Sequence, residues 1–165
     1  MVIIGIDPGL AHTGWGVIQP QGNGWRACAY GCIDTSPKRS MAQRLHHIYE
    51  GIAQPIEHYQ VTHGAIEEVF FGTNAKSAVL LGQARGVALL ACAQCSEGIG
   101  EYSANSIKQC IVGHGHADKD QIAYMVKTLL NLDHLPKPDH CSDALAIALT
   151  LGLTFCPYPQ KEGSF

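Results

Sequence analysis

Hydrophobic positions in this chain fall into short uninterrupted runs and one-sided periodicities, and the two kinds alternate. Residues 2–6, VIIGI, form an apolar run closed by Asp7-Pro8-Gly9, which predicts a buried strand entering a turn. Thr13 to Gln19 reads as a second strand, with Gly14 and Gly16 leaving room for a close neighbour. Gln21-Gly22-Asn23-Gly24 is a hairpin turn, and Trp25 to Ile33 is the third strand. Ser40 caps a helix whose Leu45, Ile48, Ile52 and Ile56 recur at spacings of three and four. His63 to Val69 is a fourth strand and Phe70 to Lys76 a loop. Ala78 to about Ser96 is a long apolar helix, expected to be buried. Ile99 to Tyr102 is the fifth strand. Ala104 to Val112 is helical, and residues 113–116 form a loop. Asp118 caps the next helix, with Gln121 in the capping-box position. Pro136 and Pro138 interrupt the chain, and Asp139 caps a final helix reaching about Leu153.

A hairpin meander therefore comes first, and right-handed crossovers follow. The expectation is an α/β fold: a mixed five-stranded sheet with helices on both faces. A single domain over residues 1–156 is expected, with residues 157–165 as a flexible tail.

Composition narrows the function. The chain has 165 residues, of which 46% are apolar and 15% charged, enough for one hydrophobic core and too apolar for disorder. The net charge is −3, so any site for a polyanion has to be a local patch on an acidic body. Seven cysteines, an odd number, fit a reduced pool better than a disulfide framework. Cys28, Cys32, Cys92 and Cys95 read as small buried hydrophobes on a strand and a helix rather than as a four-thiolate zinc site. The start has no basic n-region before an apolar stretch, and no run approaches the ~18 uninterrupted apolar residues of a spanning helix. Cytoplasmic residence without a membrane is the resulting expectation.

The candidate chemistry is acidic. Asp7 ends one apolar strand, Glu67 and Glu68 end another, and Asp139 and Asp143 open the last helix. A carboxylate at a buried strand end is costly unless it is paired, hydrogen-bonded or bound to a cation. The first and fourth strands are expected to be parallel neighbours, which projects Asp7 and Glu67 side by side, with the last helix bringing Asp143. Such a group suits hard cations such as Mg²⁺. Plainer roles exist for each: Asp7 as a turn residue, Glu67 and Glu68 as solvated strand ends, Asp139 as a cap. His140 lies three residues before Asp143 and Asp139 lies four, so spacing alone leaves open which of them joins it. His114 and His116 read as a polar loop.

Four blocks, taken together and in order, carry a family resemblance. GIDPGLAHTGWGVI at residues 5–18, AIEEVFFGTNAKSAVLLGQARGVALL at 65–90, IKQCIVGHGHADKDQIAYMV at 107–126 and HCSDALAIAL at 140–149 resemble the RuvC Holliday-junction resolvases. The first block alone is weak, being shared with sugar kinases and actin-like ATPases. The resemblance implies an RNase H-like fold and a homodimeric, Mg²⁺-dependent endonuclease that nicks two strands of a four-way junction, with Mn²⁺ able to substitute. It matches Asp7, Glu67 and Asp143 to the metal-binding carboxylates, and His140 to a position occupied by Asp or His. It matches Phe70 to an aromatic near the strand-exchange point, and Lys108 and Lys119 to residues facing DNA. Arg85 matches a position without an assigned role. A branch-migration motor is implied as a partner. Thr73 and Lys76 depart from the family, standing where Lys and Asp are common.

The mechanism so implied is two-metal phosphodiester hydrolysis with water as nucleophile, Asp7 bridging the ions and a 5′-phosphate on the product. Competing readings are an RNase H-like enzyme acting on structured RNA, an actin-like or sugar-kinase ATPase, and a silent junction-binding module. The ATPase reading lacks a second Gly-rich loop, and intact Asp7, Glu67 and Asp143 argue against the silent module.

Overall fold

The computed structural model describes residues 1–68 and 75–155. Phe70, Thr73 and the tail expected beyond residue 156 lie outside the described residues. Five strands, β1 (Ile3–Asp7), β2 (His12–Gln21), β3 (Gly24–Asp34), β4 (His63–Glu67) and β5 (Ile99–Tyr102), form one sheet in the order β3-β2-β1-β4-β5. β1, β2 and β3 are an antiparallel meander, and β4 and β5 add in parallel. Among the described residues five helices, α1 (Met41–His58), α2 (Ala75–Cys92), α3 (Ala104–Val112), α4 (Lys119–Leu129) and α5 (Asp139–Phe155), cover both faces.

Strand alternation sorts the core into two layers. Ile4, Ile6, Val17, Ile33 and Ile66 face α1 and α2, where they meet Ile48, Ile52 and Ala88. Ile3, Ile18 and Ala65 face the other way, onto Ile107, Val126, Leu145 and Leu149 of α3, α4 and α5. Ser40 and Asp118 cap α1 and α4 in full capping boxes with Gln43 and Gln121, each satisfying two otherwise orphan backbone groups.

α5 is the central element of its layer: every residue from Ala144 to Gly152 is buried. It lies flush on β1 and β2 because those strands offer glycine where it crosses. A Cβ on Gly5 would fall 2.1 Å from the Ala144 carbonyl oxygen, and one on Gly14 would fall 2.0 Å from the His140 carbonyl oxygen. This approach sets the first turn of α5 against the end of β1.

Two expectations need correction. α2 starts at Ala75 and ends at Cys92, and it is not a buried helix: its buried residues are Ala84, Ala88, Ala91 and Cys92. Apolar character all round implies burial all round, but the chain itself covers only one stripe of it. By length and composition α2 would also pass for a membrane span; that stripe packs instead on the sheet. Asp139 is not a cap either. It is the first residue of α5, and its exposed carboxylate pairs with Lys137 Nζ at 3.0 Å.

Candidate active site

Parallel pairing of β1 with β4 aligns Ile6 with Ile66, so the next residues, Asp7 and Glu67, leave the sheet side by side. The turn after Asp7 is held from two sides. Thr13 Oγ1 donates to the Gly9 carbonyl at 2.6 Å, and the Arg44 guanidinium of α1 donates to the Leu10 carbonyl at 3.3 Å and to Thr35 Oγ1 at 2.9 Å. On the β4 side, Arg85 of α2 donates from Nε to the Glu67 carbonyl at 3.1 Å and forms an ion pair with Glu101 of β5. Arg85, which sequence left without a role, thus fastens the strand end that carries Glu67. Arg44 was missed altogether, since a surface arginine on an amphipathic helix gives no signal of what its guanidinium reaches.

His140 Nδ1 lies 2.7 Å from Asp7 Oδ2, in a pair whose side chains are 39% and 16% exposed. Asp143 completes a group with them in which the ligand atoms all lie within 4.8 Å of one another. The structure therefore brings His140 to Asp143 and Asp7, and turns Asp139 away to solvent. Lys119, the first residue of α4, approaches Asp143 Oδ2 at 3.8 Å. A lysine there opposes the helix dipole, so its position follows the carboxylates rather than the helix. These residues, with Glu67 and Lys108, line a cleft of about 340 Å³ whose floor is Ile107, Ile122, Ala146 and Ile147. His114 and His116 lie in the turn between α3 and α4 and do not line the cleft.

The electrostatics show carboxylates crowded beyond what they tolerate alone. Burial, then the Asp7 and Asp143 carboxylates, push Glu67 up to about 7, with Lys119 and Lys108 pulling the other way. Burial and then Asp7 likewise raise Asp143, against Lys119 and His140. Repulsion of this kind is relieved by a cation among the oxygens. Two carboxylates and an imidazole within 4.8 Å, with Glu67 on the adjoining strand end, can hold a divalent ion.

A mixed sheet of this topology, with carboxylates at the ends of two parallel strands and on a helix crossing them, defines an RNase H-like nuclease built for divalent ions. Residues 3–151 match the profile of the family described as "Crossover junction endodeoxyribonuclease RuvC". Relatives of that name from Desulforamulus reducens and Alkaliphilus oremlandii are 47% and 49% identical over 149 residues, in each case 90% of this chain and 91% of the relative. Among solved structures, Thermus thermophilus RuvC in complex with a Holliday junction superposes with a TM-score of 0.88 at 35% identity, covering 94% of each chain. The yeast mitochondrial Holliday junction resolvase shares the fold, with a TM-score of 0.64 at 10% identity over 90% of this chain and 77% of that one. The chain belongs to the RuvC family of crossover junction endodeoxyribonucleases.

Proposed function

We propose that this protein resolves four-way DNA junctions as a homodimer, by Mg²⁺-dependent hydrolysis of one phosphodiester in each of two opposed strands. The convergence of Asp7, His140 and Asp143 on one point, beside Glu67 in a cleft edged by two lysines, carries the reading. Asp7, Glu67 and Asp143 hold the ions, and His140 completes or orients one side. Mg²⁺ fits the oxygen-rich set, with Mn²⁺ as a substitute. When bound, the ions supply charge stabilisation to the attacking and leaving oxygens of the phosphodiester. Lys108 and Lys119 place positive charge at the rim, which draws the phosphate backbone to a chain whose overall charge is negative.

A second copy is supported by α2. Val79 and Leu90 are 60% and 63% exposed, and with Gly82 and Gly86 they fall at spacings of four and three along one stripe. A Cβ on either glycine would meet nothing within 4 Å, so this stripe is open to another backbone. Two-fold pairing of such stripes suits a substrate with two-fold character. Leu90→Glu is expected to give a monomer by sedimentation and to lose paired nicking; a dimer unaffected by the change would contradict this arrangement. Family membership alone supports a branch-migration motor as partner.

The function itself is tested by offering a synthetic four-way junction, a plain duplex and an RNA hairpin, each with and without Mg²⁺. Nicks confined to the junction and dependent on Mg²⁺ are expected. Preferential cleavage of the hairpin would favour the structured-RNA reading, and ATP turnover without nicking would favour the ATPase.

A further inference from the structure

A second group of potential ligands stands at the open end of the β2–β3 hairpin, opposite its turn. The antiparallel register places His12 opposite Asp34 and Gly14 opposite Cys32. Alternation along the strands then puts His12, Cys32 and Asp34 on the face of the sheet that carries α5. His12 Nδ1 lies 2.7 Å from Asp34 Oδ1, and Cys32 Sγ donates to the same oxygen at 3.4 Å. The imidazole, thiol and carboxylate atoms all lie within 4.8 Å of one another. Their backbone is fixed, because the Thr35 amide donates to the Ala11 carbonyl at 2.9 Å across the strand ends.

We propose that His12, Cys32 and Asp34 form a binding site for a thiophilic divalent cation, zinc by donor chemistry, separate from the nuclease centre. One nitrogen, one sulfur and one oxygen are borderline-soft donors, which favour Zn²⁺ over the Mg²⁺ that an all-oxygen set would take. Three protein ligands leave a fourth position to solvent, consistent with the exposure of His12 and Asp34, 57% and 71%. Binding breaks the Cys32 S–H bond, forms a sulfur–metal bond and releases one proton to solvent. In the metal-free protein burial, and then the hydrogen bond to Asp34, push the Cys32 thiol up to about 12, so the cation has to displace a firmly held proton and its affinity should rise with pH. The four-cysteine zinc site weighed from sequence is a different matter. Cys92 and Cys95 belong to the core layer under α2, on the other face of the sheet.

The site has a consequence for its neighbour. The His12 ring stacks on His140, with centroids 5.5 Å apart and planes 20° from parallel. A cation on His12 would fix the ring against which His140 packs.

Co²⁺ serves as the probe, added to the full chain in excess Mg²⁺. The expected result is a sulfur-to-cobalt charge-transfer band in the near ultraviolet that saturates at one ion per chain and is bleached by Zn²⁺. Cys32→Ser should abolish the band, and His12→Asn and Asp34→Asn should each weaken binding by about tenfold or more. Asp7→Asn and Asp143→Asn should leave it unchanged. Absence of the band, its survival in Cys32→Ser, or its loss in Asp7→Asn would overturn the proposal. If Cys32→Ser does not fold by circular dichroism, the exposed Asp34→Asn decides, and unaltered affinity there overturns it equally.

Discussion

Replacing Glu67 with glutamine should make the metal-free protein more stable, and only above mildly acidic pH. The folded state moves this carboxyl from an ordinary 4.5 to about 7. A group raised on folding holds its proton more tightly in the folded chain than in the unfolded one. Stability therefore falls as pH rises from 4.5 through 7 and stays reduced above that window. The full difference corresponds to about 3.4 kcal/mol. Glu67 is only half-buried, so solvent screening reduces the expected cost to about 1–2 kcal/mol. Glu67→Gln keeps the shape and removes the charge. At pH 8 without divalent ions its Tm should exceed wild type by about 2–8 °C, and at pH 4.5 the two should coincide. Saturating Mg²⁺ should raise wild type more than the variant and close the gap, while the variant fails to cleave. The assay is thermal unfolding at both pH values, with and without Mg²⁺. A variant no more stable than wild type at pH 8, or one equally stabilised at both pH values, would refute the claim that burying the Glu67 carboxylate beside Asp7 and Asp143 costs stability at this cleft.

Other expectations concern the scaffold around the cleft. His140→Asp should retain Mg²⁺-dependent cleavage, His140→Ala should be much slower with junction binding intact, and Asp139→Ala should change the rate little because its carboxylate pairs with Lys137; single-turnover rates rank the three. Gly14→Ala should drive a methyl into the His140 carbonyl, lowering stability by about 1–3 kcal/mol in denaturant unfolding and slowing cleavage as the first turn of α5 is displaced. Arg85→Ala should release the end of β4, costing about 1–3 kcal/mol by denaturant unfolding and raising the Mg²⁺ concentration needed for half-maximal cleavage.

Local physics made much of this fold legible. The capping boxes at Ser40 and Asp118, the Gly22-Asn23 turn and the one-sided periodicity of α1 are each decided within a few residues. The parallel adjacency of the first and fourth strands was legible from the single helix that crosses between them, and with it the pairing of Asp7 and Glu67 at their ends. What failed was direction. α2 is apolar on every side, and such a pattern states that the helix will be covered without stating by what. The choice between Asp139 and His140 needed the orientation of α5, which Gly5 and Gly14 set from two strands more than 120 residues away in sequence. Arg44, the contacts of Arg85 and the His12–Asp34 pair were invisible for the same reason, since their partners are fixed by topology and not by spacing.

The central claim is that a cleft of three carboxylates and a histidine, one in each of two copies, cuts junction strands in pairs. Its most direct test is a four-way junction labelled at the 5′ ends of two opposed strands, incubated with excess protein and Mg²⁺ and resolved on a sequencing gel. Wild type should give nicks at symmetric positions in both strands, sealable by DNA ligase. Asp7→Asn should bind the same junction by gel shift and leave it uncut. Normal nicking by Asp7→Asn, or nicks scattered equally over a linear duplex, would contradict the account.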